Sequence, residues 1–242
     1  AGKELGQDYI ATGHYVIVEH GEDGRYKLKK AVDLSKDQSY VLYSLSQEQL
    51  SHTMFPLGKL HKSETRKIAE EHGFVNANRK ESQDICFIPD GDYASFIERY
   101  TGKKIASGNF VDMDGNVLGI HRGIIHYTVG QRKGLGLALK HPMYVQYIDM
   151  DNNEVVLGSN EDLFKRELTA HNFNWVSIAC PDAPFRAKAR IRYKHKEAPA
   201  TITPLSETEV KIVFDEPQRA ITKGQSVVVY DGDYVIGGGI IG

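Results

Sequence analysis

The last third of the chain is made almost wholly of short segments with strand character, and this pattern constrains the fold more than any other feature. From about Glu167 onward, apolar or alternating runs recur at short intervals, separated by turn signals such as Asp231-Gly232. Strands at this spacing predict a small closed β-barrel, because closure leaves no exposed sheet edge. The predicted strands are Ala170–Trp175, Phe185–His195, Ala200–Pro204, Val210–Phe214, Gln225–Tyr230 and Tyr234–Ile241.

One of these predicted strands carries a regular series of cations. Lysine or arginine occupies every second position, and no acidic residue lies between them. Period-two alternation puts them all on one strand face, about 6.6 Å apart, which is on the scale of adjacent phosphates in a nucleic acid. We interpret the series as a nucleic-acid-binding face whose affinity falls with salt; the alternative is the solvated outside of a barrel. This basic ladder consists of Arg186, Lys188, Arg190, Arg192, Lys194 and Lys196.

The composition is that of an ordinary soluble protein. Of 242 residues, 40% are apolar and 26% charged, and the net charge of −2 argues against a protein that is basic all over. No apolar run is long enough for a membrane span, and no signal-peptide pattern opens the chain. The only cysteines are Cys86 and Cys180, too few for a disulfide framework. A reducing cytoplasm therefore fits best.

The first part of the chain has α/β character. The run from Asp8 to His14 is typical of a buried parallel strand, but the seven residues before it cannot supply its neighbours. We therefore expect the chain to be the C-terminal part of a longer protein. A hairpin follows at residues 15–30, and Ser35 with Gln38 has the spacing of a capping box that opens a helix. A second helix is predicted from Ser63, its N-cap, to Gly73.

The central part is predicted to be β-rich after one short helix from Asp92 to Tyr100. Within it, the loop from Thr128 to Gly136 holds three glycines, an arginine and a lysine. Such a loop can cradle a phosphate through backbone N–H groups, or can be a plain hairpin loop, and it matches no standard nucleotide-binding pattern. The predicted strands are Phe110–Val111, Val117–Gly119, Gly123–Val129 and Met143–Met150.

Cys86 lies within a short apolar run from Ile85 to Ile88, just before a turn at Pro89-Asp90. The run is typical of a buried strand, and α/β folds place chemistry at the ends of such strands. On local sequence alone, a cysteine between Ile85 and Phe87 is most often a small core residue. Local sequence leaves both interpretations open.

Taken together, several motifs resemble one family, the bacterial tRNA-specific 2-thiouridylases, which put sulfur on the wobble uridine. They occur in family order over nearly the whole chain, and jointly they are highly specific. The matching segments are Ala11-Thr12-Gly13-His14-Tyr15, Lys36-Asp37-Gln38-Ser39-Tyr40, Pro56-Leu57-Gly58 with Ser63-Glu64-Thr65-Arg66, Ser82-Gln83-Asp84-Ile85-Cys86-Phe87-Ile88, Thr128 to Gly136, and Gly237-Gly238-Gly239-Ile240-Ile241.

The resemblance implies an α+β multidomain protein and an ATP-dependent sulfurtransferase. Residues 1–90 would be the remnant of an α/β adenylation domain of HUP-like type, 91–160 a small β-rich central domain, and 168–242 a C-terminal β-barrel that binds tRNA. In the family, ATP, expected with Mg²⁺, adenylates the uracil O2 of U34. A cysteine persulfide, loaded by a cysteine desulfurase or a sulfur-relay protein, then delivers sulfur.

Family roles transfer to individual residues of this chain. The motif match makes Cys86 the catalytic persulfide carrier and Gly13 an ATP contact. No metal ligand is implied, and we expect a monomer without a membrane partner. The residues that match tRNA contacts are His14, Lys36, Asp37, Gln38, Arg192, Tyr193 and Gln225.

The chain also departs from the family pattern. The family's ATP pyrophosphatase loop and its second catalytic cysteine do not occur in these residues, and Cys180, between Ala179 and Pro181, is interpreted as structural. ATP would thus be bound mainly by the missing part, and the chain alone is expected to be inactive. Two alternatives are a non-catalytic RNA-binding module, favoured by the barrel and the basic ladder, and a redox protein using both cysteines, disfavoured because no motif joins them. Neither the tRNA isoacceptors nor the sulfur donor can be read from the sequence.

Overall fold

The computed structural model of the protein describes residues 6–77, 88 and 92–242. The described residues form two compact units. The first takes the residues up to 77 together with 166–217 and 223–242, and the second takes the residues from Ile88 to 165 together with 218–222. Both ends of the sequence thus belong to the first unit, and the three domain ranges expected from the sequence stay a prediction.

The N-terminal part of the first unit begins with a short parallel pair. Strand β1 (Ile10–Ala11) pairs with β4 (Thr53–Met54), which confirms the parallel strand, but β1 is exposed rather than buried. Among the described residues, β4 is the only strand that pairs with β1, and both residues of β1 are exposed. The predicted hairpin is confirmed as β2 (Val16–His20) and β3 (Tyr26–Lys30). The helices are α1 (Ser39–Leu42), α2 (Gln47–Ser51) and α3 (Lys62–Glu71).

Two predicted helix starts in this part are wrong. Ser35 does not cap α1, because its hydroxyl donates to Asp33 Oδ1 (2.6 Å), and Gln38 is itself the N-cap residue. The N-cap of helix α3 lies two residues before the predicted one, Ser63. His61 is its N-cap, and Glu64 reaches back to accept the His61 N–H at 2.6 Å. The first error arose because the Ser35 side chain bonds to a nearer partner than the predicted one.

The second unit holds α4 (Tyr93–Thr101) and a four-stranded sheet in the order β6-β5-β8-β7. Phe110, Tyr127, Val145, Val155 and Leu157 form its buried core. The strand predicted at residues 123–129 is wrong. Gly123 has φ +120° and donates its N–H to His121 Nδ1 (3.1 Å), which turns the chain into a 3₁₀ helix. The elements are β5 (Gly108–Val111), β6 (Val117–His121), the 3₁₀ helix Ile124–His126, β7 (Tyr144–Asp149) and β8 (Glu154–Gly158).

The remaining strands close into the predicted barrel. They follow one another in the order β13-β10-β11-β12-β9-β14, and β14 pairs back with β13. The hairpin β2–β3 continues this sheet from β14 through the pair Tyr234–Lys29. A 3₁₀ helix, Glu161–Leu163, precedes the barrel. The strands are β9 (Phe164–Trp175), β10 (Phe185–Arg190), β11 (Ala198–Pro204), β12 (Val210–Arg219), β13 (Ser226–Asp231) and β14 (Tyr234–Ile241).

A shared hydrophobic core joins the N-terminal part to the outside of the barrel. Val228 and Tyr230 of β13 pack with Val16, Leu28 and Tyr40. Because successive strand residues face opposite sides, β13 is buried on both faces, and this explains four fully buried residues in a row. None of the helices in the described residues has the length and hydrophobicity to cross a membrane.

Candidate functional site

The loop before α1 is held by the side chain of Asp37. Its Oδ1 accepts the N–H groups of Ala31 (3.1 Å) and Ser39 (3.3 Å), and its Oδ2 accepts the Ser39 hydroxyl (2.7 Å). The residue is only 7% exposed. Buried carboxylates are stable where such donors surround them. The carboxylate of Asp37 therefore faces the protein interior, with three donors from its own segment of chain.

The two residues that flank Asp37 are more accessible. Gln38 and Lys36 are both half-buried. Gln38 pairs with Tyr15 twice: its Oε1 accepts the Tyr15 N–H, and its own N–H donates to the Tyr15 carbonyl, both at 3.0 Å. The loop is thus fixed to the strand segment that follows His14.

Residues of the barrel meet this loop. Tyr193 donates its hydroxyl to the Asp37 carbonyl (3.1 Å), and Arg190 Nη1 lies 3.9 Å from Asp37 Oδ2. The Arg190 guanidinium lies 5.8 Å from the Tyr40 ring centre and 5.9 Å from that of Tyr193, within reach of cation–π attraction. These three side chains, Arg190, Tyr40 and Tyr193, are called the Arg190 cluster below.

The basic ladder is only partly formed. Strand β10 ends at Arg190, where the chain turns, and Arg190 Nε donates to the His195 carbonyl (2.8 Å) across that turn. The prediction of six cations on one strand face is therefore wrong for Arg192, Lys194 and Lys196, which follow the strand. Within the strand, Arg186 forms a two-point ion pair with Asp215 (2.8 and 2.6 Å), whereas Lys188 is exposed.

Gln225 reaches the same end of the barrel through its neighbour. Gln225 is exposed, and the carbonyl of the next residue, Ser226, accepts the Tyr40 hydroxyl (2.7 Å). The Tyr43 hydroxyl lies 3.0 Å from Ser226 Oγ. Burial raises the pKa of Tyr40 to about 12, so its phenol stays protonated and can donate this bond at neutral pH. Tyr40 thus links the Arg190 cluster to the start of β13.

Gly13 and His14 follow the carboxyl end of β1, the end of a parallel pair at which α/β folds bind ligands. The Thr12 hydroxyl lies 2.7 Å from His14 Nδ1, which orients the ring. A Cβ on Gly13 would meet only Leu57 Cδ1, at an ordinary 3.8 Å. The described protein atoms themselves do not require glycine there, so the position has room for the backbone to be approached from outside.

Cys86 lies outside the described residues, and so does Asp84. Ile88, two residues further on, is described and is 3% exposed. Cys180 is a half-buried free thiol, and its Sγ lies 3.8 Å from the carbonyls of Pro181 and Ser206. Across the parts of the chain that are described, no three His, Cys, Asp or Glu side chains are grouped so as to hold a metal ion.

Sequence reasoning missed the Arg190 cluster and the inward orientation of Asp37. Arg190 was predicted to lie with the rest of the basic ladder on a nucleic-acid-binding face. Its actual partners, Asp37 and Tyr40, are about 150 residues away along the chain, and no local pattern signals such a contact. The one available signal was the pair of tyrosines, since Tyr193 is itself a predicted tRNA contact and Tyr40 lies two residues after Gln38.

Three protein-family models match three successive parts of the chain. Residues 1–90 match the model of the tRNA methyl transferase HUP domain, 94–159 that of the tRNA methyl transferase PRC-barrel domain, and 165–241 that of the aminomethyltransferase beta-barrel domain. Three similar proteins are each named tRNA-specific 2-thiouridylase MnmA. The Clostridioides difficile protein is 54% identical over 99% of this chain and 66% of its own length. The Acetivibrio thermocellus protein is 56% identical over 98% and 66%, and the Lachnoclostridium phytofermentans protein 51% over 98% and 67%.

The chain belongs to the tRNA-specific 2-thiouridylase family. It spans about two thirds of the length of the curated relatives it matches. Membership confirms the predicted fold class: a part that matches a HUP domain, a β-rich central part, and a closed six-stranded barrel. The family roles expected for individual residues of this 2-thiouridylase family member stay predictions. These residues are Gly13, His14, Lys36, Asp37, Gln38, Cys86, Arg192, Tyr193 and Gln225.

Proposed function

We propose that this chain supplies the tRNA platform and the sulfur-carrying cysteine for 2-thiolation of the wobble uridine, U34. One observation supports this most: the loop of residues 36–38, the Tyr193 turn and the start of β13 meet at one end of the barrel. All three segments contain residues that match family tRNA contacts, although they lie far apart in the sequence. The relatives are named tRNA-specific 2-thiouridylases, and a shared RNA surface accounts for this convergence.

RNA would be held by the accessible members of this set. Tyr193 is 40% exposed, and an exposed aromatic residue beside a guanidinium can stack on an unpaired base. Lys36 and Arg192 would pair with phosphates, and Gln225 would offer an amide to a base or sugar. Asp37 would act as a positioning residue. Its carboxylate is buried, and an acidic group facing RNA would repel the phosphates.

ATP is proposed as a substrate, with Mg²⁺, and Gly13 as one of its contacts. A nucleotide could approach the open side of Gly13 at the carboxyl end of β1. The adenylyl group is transferred to the uracil O2, and pyrophosphate is released. This makes O2 part of a leaving group. The ATP pyrophosphatase motif of the family does not occur in these residues, so most of the ATP contacts would belong to another part of the protein.

Sulfur transfer is assigned to Cys86 as its persulfide. The terminal sulfur bonds to C2 of the activated uracil, the C2–O2 bond breaks, and AMP leaves with O2. The S–S bond of the persulfide then breaks as a second thiolate bonds to the Cys86 sulfur. The sulfur on C2 is thereby reduced, and the two cysteines are oxidised to a disulfide. Thiolate chemistry explains the residue type, since an alcohol cannot carry a sulfane sulfur.

The persulfide requires a donor. A cysteine desulfurase or a sulfur-relay protein would load Cys86 before the tRNA binds. Because the second cysteine and the pyrophosphatase motif do not occur in this sequence, the chain by itself is proposed to bind tRNA without completing the reaction. That behaviour would be that of an RNA-binding module, which is the second candidate function for the isolated chain.

Binding of tRNA to surface variants tests the platform. The double variant R192A/Y193A should bind tRNA at least about tenfold more weakly, because it removes a phosphate contact and a stacking surface. The matched control is K211A on the same barrel, whose lysine is paired with Glu167 at 2.9 Å. Equal affinities of wild type, R192A/Y193A and K211A would contradict the proposed platform.

A further inference from the structure

All the RNA contacts predicted so far lie in the first compact unit, yet the second unit carries its own cationic loop. This loop runs from Thr128 to Gly136 and is called the glycine loop below. Its cations, Arg132 and Lys133, are both exposed. No ion pair or hydrogen bond joins either side chain to another group in the described part of the protein.

The charge around the glycine loop is one-sided. Between Asp114 and Asp149 the sequence contains no acidic residue, although the protein as a whole has a net charge of −2. The same stretch contains four lysines and arginines. Cations that lie close together favour binding to polyanions, and salt screens this attraction. These four cations are Arg122, Arg132, Lys133 and Lys140.

The backbone of the glycine loop is held in one conformation. The Gln131 side chain spans it: its Oε1 accepts the Thr128 N–H (3.0 Å), and its Nε2 donates to the Lys133 carbonyl (2.9 Å). Gly130 donates to the Val145 carbonyl (2.7 Å), and Val145 donates to the Gln131 carbonyl (3.0 Å). The Gln131 side chain thus connects the two sides of the loop, and the backbone bonds attach the loop to strand β7.

Further contacts fix the base of the loop. Arg219 Nη2 donates to the Gly130 carbonyl (3.3 Å), and its Nε donates to Asn160 Oδ1 (3.2 Å). Leu135 is buried in the core of the unit. Glycine is required at the bends, because Gly130, Gly134 and Gly136 have φ values of +86°, +75° and +73°. Contacts within its own unit therefore hold the loop.

This rigidity leaves donors unused. In the described structure the backbone N–H groups of Arg132, Lys133 and Gly134 donate no hydrogen bond. Backbone N–H groups next to cationic side chains form a suitable site for phosphate oxygens. Because these contacts already hold the backbone of the loop, binding an anion should cost little conformational entropy.

We propose that the glycine loop is a second RNA-binding surface, which contacts the phosphodiester backbone of the tRNA substrate through Arg132 and Lys133. The proposal rests on the proposed function, since it takes tRNA as the ligand. It adds a contact in the second unit, where none of the predicted tRNA-contact residues lies. Gln131 acts as a positioning residue that holds the loop in shape.

The salt dependence of tRNA binding to the 242-residue chain tests this proposal. The slope of log K against log salt is negative, and each lost phosphate contact reduces its magnitude by about 0.7–0.9. R132A/K133A should therefore reduce the magnitude by about 1.4–1.8. Affinity at physiological salt should fall by about tenfold or more. The variant Q131A keeps both cations and removes the brace, so its affinity should fall severalfold while its slope stays that of wild type.

The matched control is K103A/K104A, which removes two adjacent exposed lysines from the same unit. Its slope should equal that of wild type, and both double variants should keep the wild-type melting temperature. Equal slopes for R132A/K133A and wild type, or equal losses in both double variants, would overturn the proposal while leaving the proposed function standing. ATP carries the same phosphate chemistry: ATP binding that R132A/K133A abolishes, with an unchanged tRNA slope, would overturn it too. A wild-type chain that binds no tRNA would overturn both.

Discussion

In the proposed RNA surface, Asp37 is an organising residue rather than an RNA contact. Its carboxylate accepts three hydrogen bonds from Ala31 and Ser39, and its carbonyl accepts the Tyr193 hydroxyl. Arg190 adds positive charge at 3.9 Å. A carboxylate suits this position because it only accepts hydrogen bonds, whereas an amide would present an N–H₂ group to donors. Asp37 therefore sets the positions of Lys36, Gln38 and Tyr193.

The variant D37N tests this role. The amide cannot accept at both ends, so one hydrogen-bond donor loses its partner, and Arg190 loses the negative charge beside it. These losses should cost about 1–3 kcal/mol of folding free energy. We expect a melting temperature lowered by roughly 3–10 °C and weaker tRNA binding with an unchanged salt slope. D182N, at an exposed aspartate on the same unit, is the control. A stable D37N protein with a changed slope would mean that Asp37 faces the RNA.

At the scale of elements, β10 divides the basic ladder into residues with different environments. Arg186 is neutralised by Asp215, and Arg190 is packed into the Arg190 cluster. Lys188 lies between them on the same strand face and is exposed, with no acidic partner in the described structure. Alternation in a sequence therefore indicates which face a cation shares, but pairing with neighbouring strands decides whether its charge is available.

This difference predicts unequal effects on tRNA binding. K188A should reduce the magnitude of the negative slope of log K against log salt by about 0.7–0.9, the value for one phosphate contact. The charge-balanced variant R186A/D215A should leave the slope unchanged, because it removes an ion pair that is already satisfied. If both variants left the slope at the wild-type value, β10 would simply face solvent.

Much of the element structure follows from local sequence, and the failures have physical causes. The barrel strands were predictable because Val227–Tyr230 and similar runs have strong β character and clear turns between them. The end of β10 was not, since the chain turns at Arg190 through a bond to the His195 carbonyl rather than at a glycine or proline. The Arg190 cluster could not be predicted, because it depends on the packing of distant segments. Motif resemblance, rather than periodicity, indicated most site residues.

On the scale of the whole molecule, the two ends of the sequence build one compact unit. Tyr40 and Tyr43 of the N-terminal part pack with Val228 and Tyr230 of the barrel. Close approach is possible because Gly238 lacks a side chain; a Cβ there would lie 2.6 Å from the Tyr43 ring. The proposed RNA surface lies where these parts meet, so it would require both of them.

The chain as it stands should not adenylate tRNA. The pyrophosphatase motif that grips ATP phosphates in the family does not occur in it, so Gly13 alone cannot hold the nucleotide for transfer. We expect no AMP release above background when the purified chain is incubated with ATP, Mg²⁺ and tRNA. A protein of the relatives' full length that contains this chain is the positive control. ATP- and tRNA-dependent AMP release by the 242 residues would contradict this prediction.

The most direct measurement is the amount of 2-thiouridine formed per folded enzyme by the full-length protein, with and without Cys86→Ser. If Cys86 carries the sulfur, the serine variant should form no 2-thiouridine, because an alcohol cannot hold a persulfide, and its melting curve should barely move. Cys180→Ser is the matched control and should keep wild-type activity. If Cys86 only fills a core, activity would fall only in proportion to folded protein. Substantial 2-thiouridine formation by folded Cys86→Ser enzyme would contradict the assignment of sulfur transfer to this chain.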